Sequence, residues 1–322
     1  DRGAEILAIG TTPENLVPVT TLFAQGGSAA VSDALGPSQV GVTRSIRFTL
    51  NGTERTVTIT RAEFNIPPVS SRFGVQTYDQ PGLGRVGYVN LRSFISTAET
   101  PLRDAFARFR SEGATNIIVD FRYNGGGLLA VSSQLAYMIA GASRTENRAF
   151  SRLRFNAAAG AINPVTGQAN NPTPFYSQTI GFGDILAPNT ALPTLTINRV
   201  FVFTTADTCS ASEAVINGLR GINFEVNVIG ATTCGKPFGF YPQDNCGETY
   251  YTIQFQTTND QSFGDYADGF TPNNSTAAFG VRAPGCQVAD DLNRELGDPA
   301  EGLLAAALQF RANGSCPTPT SG

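Results

Sequence analysis

Apolar and polar residues alternate with period two between residues 44 and 64, RSIRFTL and then TERTVTIT, on either side of Asn51-Gly52. That alternation predicts two half-buried strands. The Asn-Gly pair, tolerant of positive φ, predicts a tight type I′ turn joining them as a hairpin. Upstream, VPVTTLFAQGGSAAVSDALG mixes helical spacing with glycine breaks and yields no single element. Downstream, IPPVSSRFG reads as a linker, dividing the chain near residue 70 into segments 1–68 and 69–322.

Beyond the linker the period changes repeatedly. RVGYVNLRSF (85–94) reads as a strand, and TPLRDAFARFRSEG as an amphipathic helix capped by Ser96 or Thr97 and ended by Gly113. NIIVDFR (116–122) is a short apolar strand of the doubly buried kind; it runs into YNGGG and then a helix over 128–141. Residues 143–192 lose periodicity and are expected to form an irregular insertion. Alternation then resumes with a strand at 199–205, a helix at 210–221, a strand at 224–230 and the loop ATTCGKPFG. A last helix is expected to open at Asp298-Pro299. Strands alternating with helices predict an α/β domain with a largely parallel sheet.

Composition narrows the function. The 322 residues are 41% apolar and 15% charged, as in folded globular chains, and carry a net charge of −4. With a pI near 5.0 there is no basic stripe to neutralise phosphates, which excludes nucleic acid as a partner. No apolar run reaches the roughly 18 residues of a membrane-spanning helix. The opening DRGAEILAIG lacks the pattern of a signal peptide, so a mature or trimmed chain is expected. Five cysteines stand without any histidine or CxxC pair, which disfavours zinc and predicts one or two disulfides with a thiol left over. Disulfides imply an exported protein.

Three loops follow predicted strands at the edge where open α/β sheets place their sites: YNGGG, ADTCSASE and TTCGKPFG. Ser210 and Glu213 match the capping box S-x-x-E, so helix capping alone explains them. The same helix start also presents backbone N–H groups to a negative charge forming beside Ser210. Lys236 is by default a solvated loop lysine, yet CGKPFGFY is apolar and aromatic company. A nucleophilic serine needs a base, histidine is absent, and a lysine in a pocket lined by Phe238 and Phe240 could take that role. The run Gly125-Gly126-Gly127 is open to three readings: a flexible turn, a phosphate cradle, or, with one glycine N–H joining that of Ala211, an oxyanion hole. Neither GxxxxGK[ST] nor GxGxxG is present, which counts against nucleotide binding. No cofactor is implied.

In these motifs the chain resembles the C-terminal processing peptidases, or tail-specific proteases. NIIVDFRYNGGGLL is similar to that family's D-x-R-x-N-x-GG loop, TCSASEAVINGL to its S-A-S-E nucleophile motif, and ATTCGKPFG to its lysine-bearing G-x-x-T-x-GK loop. The resemblance runs from about residue 84 to the end, with 26 positions between Ser210 and Lys236. It implies a crotonase-like (ClpP/crotonase) α/β core in which Ser210 is the nucleophile, Lys236 the general base, and Gly126 and Ala211 the oxyanion donors. Residues 1–65 look like part of the PDZ-like module of these peptidases, which binds substrate C-terminal tails. The segment opens part-way through that motif, so a module lacking its first strands, from a longer precursor, is expected. Many members carry a glutamine four residues after the lysine; here that position is Phe240, and orientation of the base falls to another group, with Glu213 the candidate.

The resulting expectation is a serine endopeptidase acting on unfolded or C-terminal regions of exported, periplasmic or extracellular polypeptides. A catalytically lapsed peptide-binding scaffold on the same fold is the alternative; an acyl-CoA enzyme of the broader crotonase type explains neither Ser210 nor Lys236. The expected disulfides are Cys234–Cys246, across the loop holding Lys236, and Cys286–Cys316, flanking the last helix.

Overall fold

The computed structural model describes residues 2–182 and 186–318. The chain divides into two compact units. One comprises the chain through Ile66 together with Leu292–Glu295; the other comprises Pro67–Asp291 and the chain from Leu296 onward.

The first unit is built on an antiparallel sheet of β1 (Glu5–Gly10), β2 (Val17–Pro18), β3 (Thr43–Leu50) and β4 (Thr53–Thr60), in the order β2-β1-β3-β4. The expected hairpin is present: Leu50 pairs with Thr53, and Asn51 and Gly52 take φ of +50° and +73°. The uncertain upstream segment is α1 (Val19–Ala34), interrupted where Gly27 takes φ +64°.

The second unit centres on a six-stranded sheet in the order β18-β11-β10-β7-β6-β5. Its strands are β5 (Val75–Gln80), β6 (Gly84–Asn90), β7 (Ala114–Asp120), β10 (Arg199–Thr204), β11 (Glu225–Gly230) and β18 (Gly285–Gln287). All neighbours pair in parallel except β5 with β6. The parallel strands read as continuous apolar runs because both faces are covered. Val89, Val119, Val202 and Val228 face one core with α2 (Glu99–Ser111), α3 (Leu129–Ala140) and α5 (Ala211–Gly221). Val86, Ile118, Phe203 and Ile229 face the other with α6 (Gly302–Asn313). The result is three layers, helix on sheet on helix.

Several boundaries differ from expectation. Neither Ser96 nor Thr97 caps α2; Ser96–Ala98 form a short 3₁₀ turn first. The last helix opens at Gly302, not at Asp298-Pro299, because the Glu301 carboxylate accepts the Leu304 N–H at 3.2 Å and so fixes the cap. The 143–192 segment is not wholly irregular. It takes in most of α4 (Ala142–Thr145), and all of β8 (Ala149–Arg154) and β9 (Thr173–Pro174). These two strands join β12 (Phe238–Gly239) and β15 (Phe255–Thr258) in a sheet of order β12-β15-β8-β9. β13 (Gln243–Asn245) and β14 (Glu248–Tyr250) form a separate hairpin, and β16 (Phe270–Pro272) pairs with β17 (Val281–Ala283).

One buried charge cluster pins the sheet to α6. Arg122, just past β7, contacts Asp120 at 2.7 Å and both Asp290 and Glu301 at 2.9 Å, and the Tyr88 hydroxyl donates to Asp120 at 2.6 Å. Burial alone would depress the guanidinium, but Asp120 and Glu301 overcome it and hold Arg122 above its ordinary range.

Candidate active site

The three loops singled out from the sequence leave the sheet side by side. β7, β10 and β11 are adjacent and in register, with Phe203 opposite Asp120 and Thr204 opposite Gly230. Their ends therefore open at one edge, where parallel α/β sheets carry their chemistry.

The middle loop enters α5 through Ser210, which holds φ +54° and ψ −112°. Such a conformation costs a residue with a β-carbon about 1–3 kcal/mol and persists only where its surroundings fix it. Those surroundings are specific. The Cys209 N–H donates to the Asn124 carbonyl at 3.0 Å, and the Ser210 N–H donates to Glu213 Oε2 at 3.0 Å. Ser210 Oγ has the capping-box arrangement toward the Glu213 N–H but falls short of a hydrogen bond, so the hydroxyl is not committed to the cap.

Cys209 is joined to Cys234, with Cα atoms 5.3 Å apart. The expected Cys234–Cys246 pair is thereby corrected. Parallel pairing of β10 with β11 brings the cysteines of the loops after these two strands together, whereas Cys246 sits exposed and unbonded in the turn between β13 and β14. The Cys286–Cys316 bond is present as expected.

Glu213 lies fully buried beneath both loops. Its carboxylate accepts from the Ser210 N–H at 3.0 Å, the Thr233 hydroxyl at 2.6 Å, and the Gly235 and Lys236 N–H groups at 2.8 Å each. Burial raises its pKa above the ordinary carboxylate value, and these four donors offset part of the rise. Glu213 thus clamps the backbones of Ser210 and Lys236 at once; its bond to Lys236 is to the main chain and not to the ammonium.

Lys236 and Ser210 line one cavity of about 400 Å³, walled by Leu129, Leu153, Tyr176, Phe238 and Phe255. Lys236 Nζ rests 4.9 Å above the Phe240 ring, which meets the Tyr251 ring edge-on at 5.3 Å between centroids. Gly126 packs directly against the serine turn at φ +105°, but its N–H donates to Asn124 Oδ1 at 2.9 Å. Ala211 is fully buried, and its N–H has no acceptor among the described residues; the N–H of Gly127, an exposed residue that lines the cavity, has none there either. An unsatisfied buried N–H at a helix start is suited to receive an oxyanion.

Among the described residues, one group clusters as metal ligands do: Cys209, Glu213 and Cys234, with ligand atoms within 4.8 Å. Two of those atoms are spent in a disulfide, so the group is no metal site in this form. No helix among the described residues is long and apolar enough to cross a membrane.

Sequence reasoning gave no role to Asn124, although it lies within the quoted D-x-R-x-N motif. Asn124 is buried and bonds Gly126 through its side chain, Leu91 O through Nδ2 at 2.8 Å, and the Cys209 N–H and Ser212 hydroxyl through its carbonyl. The cavity walls Leu153 and Tyr176 were also missed, because they come from the aperiodic 143–192 segment.

A strained serine at a helix start, an unsatisfied N–H beside it and a lysine in the same cavity of an α/β fold form an arrangement suited to nucleophilic chemistry at the serine hydroxyl. The chain belongs to peptidase family S41: that family's sequence model matches residues 85–273, more than half of the chain. A carboxyl-terminal-processing protease of Picosynechococcus sp. is 28% identical over 95 residues, covering 30% of this chain and 22% of that protein. Less than a quarter of that relative's length is thus spanned. Among solved structures, a Bacteroides fragilis NCTC 9343 protein described as an S41 protease has a TM-score of 0.67 at 22% identity, covering 98% of this chain and 74% of its own. A photosystem II D1 C-terminal processing protease has a TM-score of 0.48 at 19% identity, covering 88% of this chain and 63% of its own.

Proposed function

We propose that this chain is a serine endopeptidase of the C-terminal processing type, with Ser210 as nucleophile and Lys236 as general base. The observation that carries the reading is the shared cavity: Ser210, held in a strained turn, and Lys236 line it together while one buried carboxylate, Glu213, clamps both main chains. In the first step the Lys236 amine takes the Ser210 proton as Oγ attacks the scissile carbonyl. The Ala211 N–H receives the oxyanion, together with Gly126 once Asn124 releases it, or with Gly127. Lys236 returns the proton to the leaving amine, and water then hydrolyses the acyl-enzyme by the same relay. Glu213 acts as a positioning residue.

The core is read as crotonase-like, with residues 1–68 as a partial PDZ-like module that captures polypeptide C-terminal tails and 69–322 as the peptidase domain. Two disulfides fit an oxidising compartment, supporting action in the periplasm or outside the cell.

Phe240 under Lys236 favours a second reading, a lapsed scaffold whose lysine is parked on a ring. The experiment that separates them is incubation of the wild type, Ser210→Ala and Lys236→Ala with an unfolded protein, followed by mass spectrometry, alongside labelling of Ser210 by a fluorophosphonate. Hydrolysis and labelling in the wild type, with hydrolysis abolished in both variants, is expected. Near-full activity in Lys236→Ala refutes the base assignment.

A further inference from the structure

We infer that the Cys209–Cys234 disulfide is a thiol-accessible switch that keeps the peptidase active only while oxidised; this rests on the function proposed above. The bond occupies a singular place. Cys209 immediately precedes the nucleophile and Cys234 lies two residues before the base, so one covalent link ties together the two loops that carry the chemistry. It is also one of the few restraints holding Ser210 at φ +54°, a conformation that relaxes when its supports are removed.

The remaining supports explain why cleavage of the bond leaves the fold intact. The Cys234 N–H donates to the Thr208 carbonyl at 3.0 Å, and Glu213 still binds Ser210, Thr233, Gly235 and Lys236. Reduction therefore loosens the turn without opening the core.

The bond is also within reach of a reductant, since Cys234 is exposed while Cys209 is half-buried. A dithiol attacks first at Cys234 Sγ as its thiolate, forming a mixed disulfide and expelling Cys209 as thiolate. The leaving thiolate sits at the start of α5, where the helix dipole stabilises it against the nearby Glu213 carboxylate. The second thiol of the reagent then closes its own disulfide and releases Cys234. In sum the protein gains two electrons and two protons, and the dithiol is oxidised.

The test is peptidase kinetics and fluorophosphonate labelling of the whole chain before and after dithiothreitol, with mass-spectrometric mapping of every cysteine. A chelator is present throughout, because the freed thiols and Glu213 form a ligand set for soft cations. Reduction confined to Cys209 and Cys234 is expected to lower kcat by about tenfold or more with KM little changed, as a small displacement of the nucleophile does. Labelling slows in parallel, and reoxidation restores both. A Cys209→Ser/Cys234→Ser variant reproduces the reduced state without reagent, while Cys286→Ser/Cys316→Ser stays active and still responds to reductant. Unchanged kcat with both thiols mapped as free overturns the inference, as does unfolding of the reduced protein by circular dichroism, or loss that reoxidation does not reverse. If the oxidised protein neither cleaves unfolded chains nor labels at Ser210, the failure belongs to the proposed function instead.

Discussion

Replacing Gly126 by alanine tests how tightly the serine turn is built. A β-carbon there would lie 2.7 Å from Ser210 Cβ, 2.8 Å from the Ala211 nitrogen and 2.9 Å from the Cys209 carbonyl oxygen. Carbon–carbon contacts settle near 3.5–4.0 Å, so the Ser210 side must retreat by roughly 1 Å. The strain is compounded by φ +105°, which L side chains rarely adopt. Overpacking of this kind lowers stability by about 1–3 kcal/mol. A 1 Å displacement of a reacting atom lowers rate on the order of 100-fold, or about 2.7 kcal/mol of barrier. Gly125 is the internal control, because a β-carbon there meets nothing within 4 Å and its φ is not positive. Gly125→Ala should stay within about 0.5 kcal/mol in urea melts and keep wild-type kcat/KM. The assay is kcat/KM on an unfolded protein, with fluorophosphonate labelling rates and melts on both variants. Gly126→Ala within twofold of wild type, or equal losses in the two variants, refutes the account of the turn.

Two further outcomes follow from the buried charges. Arg122→Met leaves Asp120 and Glu301 buried without their cation and should destabilise the fold by about 3–5 kcal/mol in urea melts; a loss below 1 kcal/mol would show the cluster to be poorly coupled to the core. Glu213→Gln removes a carboxylate whose folded pKa is raised, chiefly by burial. Between the unfolded value near 4.5 and the higher folded one, the unfolded chain ionises while the folded chain does not, so the stability that Glu213 contributes is full at acid pH and declines as pH rises. Paired melts from pH 4 to 8 should therefore show the Gln variant gaining on wild type as pH rises; a trend in the other direction contradicts the burial argument.

The sheet was legible because its strands are short apolar runs and its helices carry a 3.6 period: NIIVDFR and RVFVFTT lie in the sheet where their pattern put them. The cap of α6 was misplaced because Asp298-Pro299 is a strong local signal, whereas the choice of Glu301 depends on Arg122, 179 positions away. The same applies to the disulfide. Cys234–Cys246 is the shorter loop, but pairing of β10 with β11 decides which sulfurs meet, and that is a long-range fact. Ser210, Glu213 and Lys236 stood out because of their residue types and company. Asn124 did not, since its role is to hold main-chain groups, which any polar residue in a loop could do on paper.

The site is fixed through main-chain contacts far more than through its reactive atoms. Asn124 ties the glycine loop to the serine turn, Glu213 ties the serine turn to the lysine loop, and the disulfide repeats the second tie covalently. The Lys236 ammonium, by contrast, is met by a ring, Phe240, braced by Tyr251 just past the exposed β13–β14 hairpin. A ring face attracts the charged amine but offers it no directional bond. Under the proposed function, Phe240 stands where the resembled peptidases carry a glutamine, and it gives the amine a ring face in place of a directional partner. On that same proposal, the alignment a ring cannot supply falls to the ties between the two main chains, the buried Glu213 carboxylate and the adjacent disulfide.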